Sequence, residues 1–180
     1  MHTFWRYGYE GTSMPTLERE LGINRSSIYA TFGSKAQLYK TALRHYTRAD
    51  SVWAAVQPGS LDGDAPLADR VAGVLWHAVA ADMRAERERG CFAVNAAVEL
   101  APDDREIRKM VSTSVRAARR VFLDAFVAAR ESGELGADAD PDALASLMIA
   151  VLNGLHVLAK GTADRRLIKQ AIAGATAALH

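Results

Sequence analysis

The sequence predicts an all-α protein in which a small N-terminal helical module precedes a larger helical body. Apolar residues recur at three- and four-residue spacing along almost the whole chain. Alanine is abundant, and no alternating β-branched run reads as a strand. Within 180 residues, 49% hydrophobic and 24% charged with only five prolines, one stretch resembles a linker, QPGSLDGDAP at 57–66. The length suits one large domain or a small module fused to a larger one. We take residues 1–48 as the small N-terminal helical module and 49–180 as the larger helical body.

The segment HTFWRYG reads as the end of a helix closed by Gly8. Ser13 caps the next helix, and Pro15 falls in its first turn, where a missing N–H costs little. Leu17 and Leu21 share a face of that helix, and Gly22 ends it. Asn24 caps another short helix, with Ile28 and Phe32 turned inward. Ser34 to Gln37 has the spacing of a capping box and opens a longer helix through Leu38, Ala42, Leu43 and Tyr46.

Beyond the linker every segment reads as helix. Residues 67–89 place Leu67, Val71, Val74, Leu75, Ala78 and Val79 inward, with Gly90 as the stop. CFAVNAAVEL (91–100) is short and nearly uncharged, which predicts burial on several sides. Asp103 and Glu106 stand in capping-box register before a helix reaching about Ser132, whose stripe is Ile107, Val111, Val115, Ala118, Phe122, Phe126 and Ala129. Asp140-Pro141 opens a helix that is apolar nearly all round. A last helix, about 164–179, aligns Ile168, Ala171, Ile172, Ala175 and Leu179.

Charge is divided unevenly. The net charge is +1, yet residues 1–48 hold seven Lys or Arg against three Glu, a net of +4, leaving −3 for the rest. That pattern suits a basic head meeting a polyanion and an acidic body that does not. The single cysteine, Cys91, excludes an internal disulfide and fits a reducing cytoplasm. No signal-peptide pattern or membrane-length apolar run is expected. The chain has no nucleophile elbow, P-loop, GxGxxG or HExxH, and no paired carboxylates in an apolar stretch, so the expectation is not an enzyme. His77 and His156 lack ligand-spaced partners, so neither a metal nor another cofactor is expected.

GINRSSIYATFGSK (22–35) carries the functional reading. Two short helices joined by Gly22-Ile23-Asn24 have the pattern of a helix-turn-helix. Leu17, Leu21, Ile23 and Ile28 would pin the pair, leaving Arg25, Ser26, Ser27 and Ala30 on the outer face of the second helix. Small side chains there would let a helix enter the major groove, while Arg25 could fork onto guanine or grip phosphate.

Residues 4–46 resemble the DNA-binding domain of the TetR/AcrR family of transcriptional regulators. The resemblance rests on Phe4, Gly8-Tyr9-Glu10-Gly11-Thr12-Ser13, Leu17, Gly22-Ile23-Asn24, Ser27-Ile28-Tyr29, Phe32, Ser34-Lys35 and Leu38. It implies backbone-phosphate contacts from Thr12, Ser13, Tyr29 and Lys35. It implies base-edge contacts from Arg25, Ser26 and Ser27, with Ala30 and Thr31 beside them. Two departures stand out. Glu18 replaces a usually small residue, and the first helix begins short of the family's, which suggests an N-terminal shortening that would lower DNA affinity.

The same resemblance, with GCFAVNAAVELAPDDREIRK and the helix order, implies a TetR-like body that binds a small effector and forms a homodimer. Expected pocket residues are Trp76, Val79, Met83, Cys91, Phe92, Asn95, Phe122, Phe126, Met148 and His156, apolar walls with few polar atoms that suit a mostly hydrophobic ligand. The residues also argue for dimerisation on their own. The 141–160 helix has more apolar faces than one small bundle can cover, which nominates Leu144, Met148, Val151, Leu155, Ile168, Ala171, Ile172, Ala175 and Leu179 for a four-helix interface. The expected function is a cytoplasmic homodimeric repressor, released from a palindromic double-stranded DNA operator by an effector and having no membrane partner. The alternative is a helical dimer acting by ligand or protein binding, its DNA binding impaired by the short first helix.

Overall fold

The computed structural model describes residues 1–49, 56–80, 90–162 and 164–179, and no strand occurs among them. Nine α-helices are described: α1 His2–Tyr7, α2 Met14–Leu21, α3 Arg25–Phe32, α4 Lys35–Ala49, α5 Leu67–Ala80, α6 Phe92–Glu99, α7 Arg105–Ser132, α8 Pro141–Thr162 and α9 Arg165–Thr176. A 3-10 turn, Ala177–Leu179, follows α9. The all-α class expected from the sequence is what the chain adopts. The expected continuation of α5 from 81 through 89 lies outside the described residues.

Packing divides the chain into two compact units. One comprises Met1–Asp50 with Phe92–Val111, the other Ser51–Cys91 with Ser112–His180. A boundary drawn along the chain after residue 48 does not anticipate that α6 and the start of α7 pack with the N-terminal helices.

In the first unit, α2 packs on α3, α3 on α4, and α4 on α6. Its core is aromatic. Tyr39 sits edge-on to Phe4, Tyr9 and Phe92, with ring centroids 5.1, 5.4 and 5.2 Å away, and Tyr46 sits edge-on to Trp5 at 5.0 Å and Phe92 at 5.6 Å. Edge-to-face pairs of this kind each add about 0.5–1.5 kcal/mol beyond the area they bury. They compensate for a first helix of six residues, too short to hold itself.

The N-caps on Ser13, Asn24 and Ser34 form as read, accepting from the N–H groups of Thr16, Ser27 and Gln37. One cap is shifted. Asp104, not Asp103, accepts from the N–H groups of Glu106 and Ile107 and opens α7. α6 is buried on one side only: Phe92, Ala93 and Ala96 are inside, while Val98 is exposed.

In the second unit, α5, α8 and α9 pack mutually around Val71, Leu75, Val79, Phe122, Phe126, Met148, Leu152 and Ile168. Glu134 ties the start of α5, accepting from the Leu67 N–H at 2.6 Å and pairing with Arg70. By length and composition alone α8 could cross a membrane. Eight of its residues, from Pro141 to Ala159, are instead buried in this core, which makes it the central helix of a bundle.

Candidate nucleic-acid interface

The α2–α3 pair owes its geometry to short-range chemistry at the turn. Gly22 takes φ 68°, a left-handed value that favours glycine, and its N–H closes α2 on the Glu18 carbonyl at 3.0 Å. Asn24 Oδ1 then accepts from the Ser27 N–H at 2.8 Å and from the Ser26 hydroxyl at 2.7 Å. Glu18 Oε1 accepts from the Arg25 N–H at 2.6 Å. Two of the first N–H groups of α3, unsatisfied within the helix, are therefore taken by side chains on either side of the turn. Glu18, a departure from the usually small residue at this place, is a second cap.

This arrangement corrects the reading of the hydrophobic pins. Leu17 and Ile28 are buried as expected, but Leu21 is 42% exposed and Ile23 41% exposed. The turn is held by the Glu18 and Asn24 hydrogen bonds, so these two apolar side chains need not be driven inside. Phe32 is half-buried.

With Ile28 as its one buried residue, α3 presents the rest of its surface. Arg25, Ser26, Ser27, Tyr29, Ala30 and Thr31 are all exposed. The Arg25 guanidinium lies 5.4 Å from the Tyr29 ring centroid and donates to its hydroxyl at 3.3 Å, which raises the already high pKa of the arginine. Four donor directions of that guanidinium are thus left pointing elsewhere than Tyr29. Ser13 is exposed at the start of α2, its hydroxyl sharing a hydrogen bond with Thr16. Lys35, at the start of α4, rests its ammonium 4.2 Å from the Tyr9 ring centroid.

Thr12 is a correction. It is 0% exposed, and its hydroxyl donates to the Gly8 carbonyl at 2.6 Å. A buried, locally bonded hydroxyl cannot reach a phosphate, so Thr12 braces the α1–α2 turn from inside. The turn is braced again by Glu99 of α6, whose two carboxylate oxygens accept from the N–H groups of Tyr9 and Glu10, both at 2.9 Å. Burial first, then the Glu99 charge, push the Tyr39 phenol up from its ordinary pKa.

The nine expected pocket residues that are described fall in both units. Phe92 and Asn95 belong to the first unit, where Phe92 packs on Tyr39 and Tyr46. Val79, Phe122, Phe126 and Met148 sit in the core of the second, and Cys91 and His156 are buried there too. Trp76 lies beneath Arg165 and Lys169, whose charged ends are 5.2 and 5.6 Å from its ring centroid. Met83 lies outside the described residues. A hollow beside Tyr9, Tyr39, Lys40 and Ile107 encloses about 90 Å³, well under the ~300–1,000 Å³ of ordinary small-molecule sites.

The dimer candidates are likewise redistributed. Met148, Leu155, Ile168, Ile172 and Leu179 are buried in the chain's own core, which leaves them little surface for a second copy. Leu144, Val151, Ala171 and Ala175 are half-buried against that core. A different row is exposed on α8: Leu147, Ala150, Gly154, Val157 and Gly161, at alternating three- and four-residue spacing. On α9, Leu167, Gln170 and Gly174 are exposed in the same rhythm, continued by Ala177 at the start of the 3-10 turn.

Residues 1–42 match the family described as bacterial regulatory proteins, tetR family, and residues 68–175 match the tetracyclin repressor-like C-terminal domain. The chain belongs to the TetR family of transcriptional regulators. Among relatives of this TetR-family chain, the HTH-type transcriptional regulator YezE of Bacillus subtilis (strain 168) is 32% identical over 165 residues, covering 91% of this chain and 84% of that one. The HTH-type transcriptional repressor ComR of Escherichia coli (strain K12) is 29% identical, covering 98% and 82%. Among solved structures, a cysteine mutant of the TetR family regulator CifR, complexed with a 26-bp double-strand operator DNA, is 32% identical with a TM-score of 0.82 and covers 99% of this chain and 91% of that one. The family is one of transcriptional regulators rather than enzymes.

Sequence reading found the α3 face and missed its supports. Glu18, Tyr9 and Glu99 act through contacts 7, 26 and about 90 residues away along the chain. The Glu18 contact alone left a trace, a carboxylate ahead of a short helix start.

Proposed function

We propose that this TetR-family regulator is a cytoplasmic homodimer that represses transcription by placing α3 of each subunit in the major groove of a palindromic operator. The observation that carries the reading is the outer surface of α3, where Arg25, Ser26, Ser27 and Tyr29 stand exposed on a helix held by Ile28 and capped by Asn24 and Glu18. Small side chains permit close approach of the helix to base edges, and Arg25 supplies the donor fork that fits guanine. Ser13, Tyr29 and Lys35 flank it as contacts to the phosphate backbone, which set register rather than sequence.

The exposed α8 and α9 rows support dimerisation. Leu147, Val157 and Leu167 supply apolar area, and an added Cβ at Gly154 or Gly174 would meet nothing within 4 Å, which leaves room for a second helix to approach closely. Two recognition helices related by a two-fold axis then read half-sites about one DNA turn apart. A small, mostly hydrophobic effector, held among Val79, Phe122, Phe126, Met148 and His156, would release the operator by binding the arrangement with splayed heads more tightly. A repressing role is in keeping with ComR at 29% identity, named as a repressor.

The test is an electrophoretic mobility shift of the purified protein on the region upstream of its own gene. A retarded complex that weakens as salt rises supports the proposal. Absence of any salt-sensitive complex overturns it.

A further inference from the structure

We infer that Glu99, on α6, is a positioning residue for phosphate binding by the α1–α2 turn and Lys35, an inference that rests on the DNA-binding reading above. Three observations converge on it. Both Glu99 carboxylate oxygens are committed to consecutive backbone N–H groups, Tyr9 and Glu10, at 2.9 Å each. A carboxylate gripping two adjacent N–H groups fixes the peptide plane between them, as an anion held in a backbone nest would.

Gly8 shows that the site is closed around this carboxylate. Its φ is 73°, and a Cβ built there would stand 3.0 Å from each Glu99 oxygen and 3.3 Å from the carboxyl carbon. Any side chain at position 8 would be strained by its backbone and would require the Glu99 carboxylate to give by a few tenths of an ångström.

The grip has a consequence at the DNA-facing surface. Tyr9, whose N–H is held, lends its ring to the Lys35 ammonium at 4.2 Å and packs edge-on to Tyr39 at 5.4 Å. Glu10 leads within three residues to Ser13, the cap of α2. Glu99 therefore acts on Lys35 through Tyr9 and on Ser13 through the turn, while touching no DNA itself. Its own negative charge would weaken DNA binding if it acted only through space, so a loss of affinity on its removal has the opposite sign to simple electrostatics.

The experiment uses the full chain and a fluorescent duplex of mixed sequence, because phosphate contacts act on any sequence. Binding is measured for wild type, Glu99→Ala, Lys35→Ala and the double variant, with helix content followed by circular dichroism. The expected result is an affinity loss of about tenfold for Glu99→Ala, and a smaller loss of about threefold when the same change is made in the Lys35→Ala background, where only the route through the turn to Ser13 remains. Glu99→Gln keeps one acceptor oxygen and serves if the alanine variant folds poorly; it should fall between wild type and alanine. Equal or tighter binding by the Glu99 variants, or the same loss with and without Lys35, overturns the inference. If wild type itself binds no duplex, the DNA-binding reading falls first, and the two failures are told apart.

Discussion

Replacing Asn24 by alanine removes the acceptor that holds the start of the recognition helix. Two bonds vanish: Ser27 N–H to Oδ1 at 2.8 Å and Ser26 hydroxyl to Oδ1 at 2.7 Å. The cap is solvent-exposed, so water partly replaces it, and the cost belongs in the range of about 0.5–2 kcal/mol measured for N-caps, near 1. Eight residues are too few to persist alone, and α3 has only Ile28 fully buried. The cost therefore falls on local opening of α3, whose open population should rise about fivefold for about 1 kcal/mol. Amide hydrogen exchange reads this directly. Tyr29 and its neighbours in α3 should exchange about fivefold faster in Asn24→Ala, with α8 amides unchanged and Asn24→Asp close to wild type. Glu18→Ala should produce a similar acceleration, because it strips the Arg25 N–H of its partner. Exchange in α3 unchanged in both variants would refute the claim that the turn is held by these caps.

Further outcomes follow from other parts of the molecule. Lys35→Ala should weaken binding to all duplexes and flatten the dependence of log affinity on log salt by about one unit; a full-affinity variant in a salt titration removes Lys35 from the interface. Val157→Glu places a carboxylate in the exposed α8 row, where Val157 is 58% exposed and the chain's own fold does not depend on it. Sedimentation should show a dimer for wild type and a monomer for the variant at micromolar concentration, and a dimer in both would place the interface elsewhere. Lys40 reaches Asp104 at 2.8 Å and Glu106 at 2.9 Å, and Arg44 reaches Glu106 at 2.9 Å. The Lys40 hydrogen bond holds both carboxyls below their ordinary pKa, with Arg44 assisting at Glu106. Their stabilising contribution is therefore complete above the ordinary carboxylate range of about pH 4 and is lost as pH falls through the lowered values. The gap in unfolding midpoint between wild type and the Asp104→Asn, Glu106→Gln variant should stay constant near neutrality and close in acid. A gap that persists at the lowest pH contradicts this.

Local chemistry was legible in the sequence and non-local partnership was not. Ser13, Asn24 and Ser34 could be placed as caps because a cap is decided within three residues. Ile28 and Leu17 could be placed inside because helical spacing leaves few choices. Ile23 was misplaced because hydrophobicity alone does not reveal that Glu18 closes the turn without it. The family resemblance implied a phosphate contact from Thr12, whereas its hydroxyl is consumed by Gly8 inside the turn. The dimer face shows the same limit in reverse. The most apolar stripe of α8, with Met148 and Leu155, is claimed by the chain's own core, and the weaker row of Leu147, Gly154 and Val157 is the one left outside. Two apolar stripes on one helix cannot be assigned to inside and interface until the other helices are packed. Phe92 illustrates it once more, since its type suits a pocket wall but α4 supplies Tyr39 and Tyr46 to enclose it.

The central claim is that the α3 face reads base edges while its flanks grip phosphates. Fluorescence anisotropy tests it most directly, comparing wild type and Arg25→Ala on the upstream region of the protein's own gene and on a mixed-sequence duplex across a salt series. The account predicts salt-sensitive binding of wild type to both. It predicts that Arg25→Ala loses about 1–3 kcal/mol on the upstream region and much less on the mixed duplex. Wild-type binding that does not respond to salt, or an Arg25→Ala variant that binds the upstream region as tightly as wild type, would contradict it.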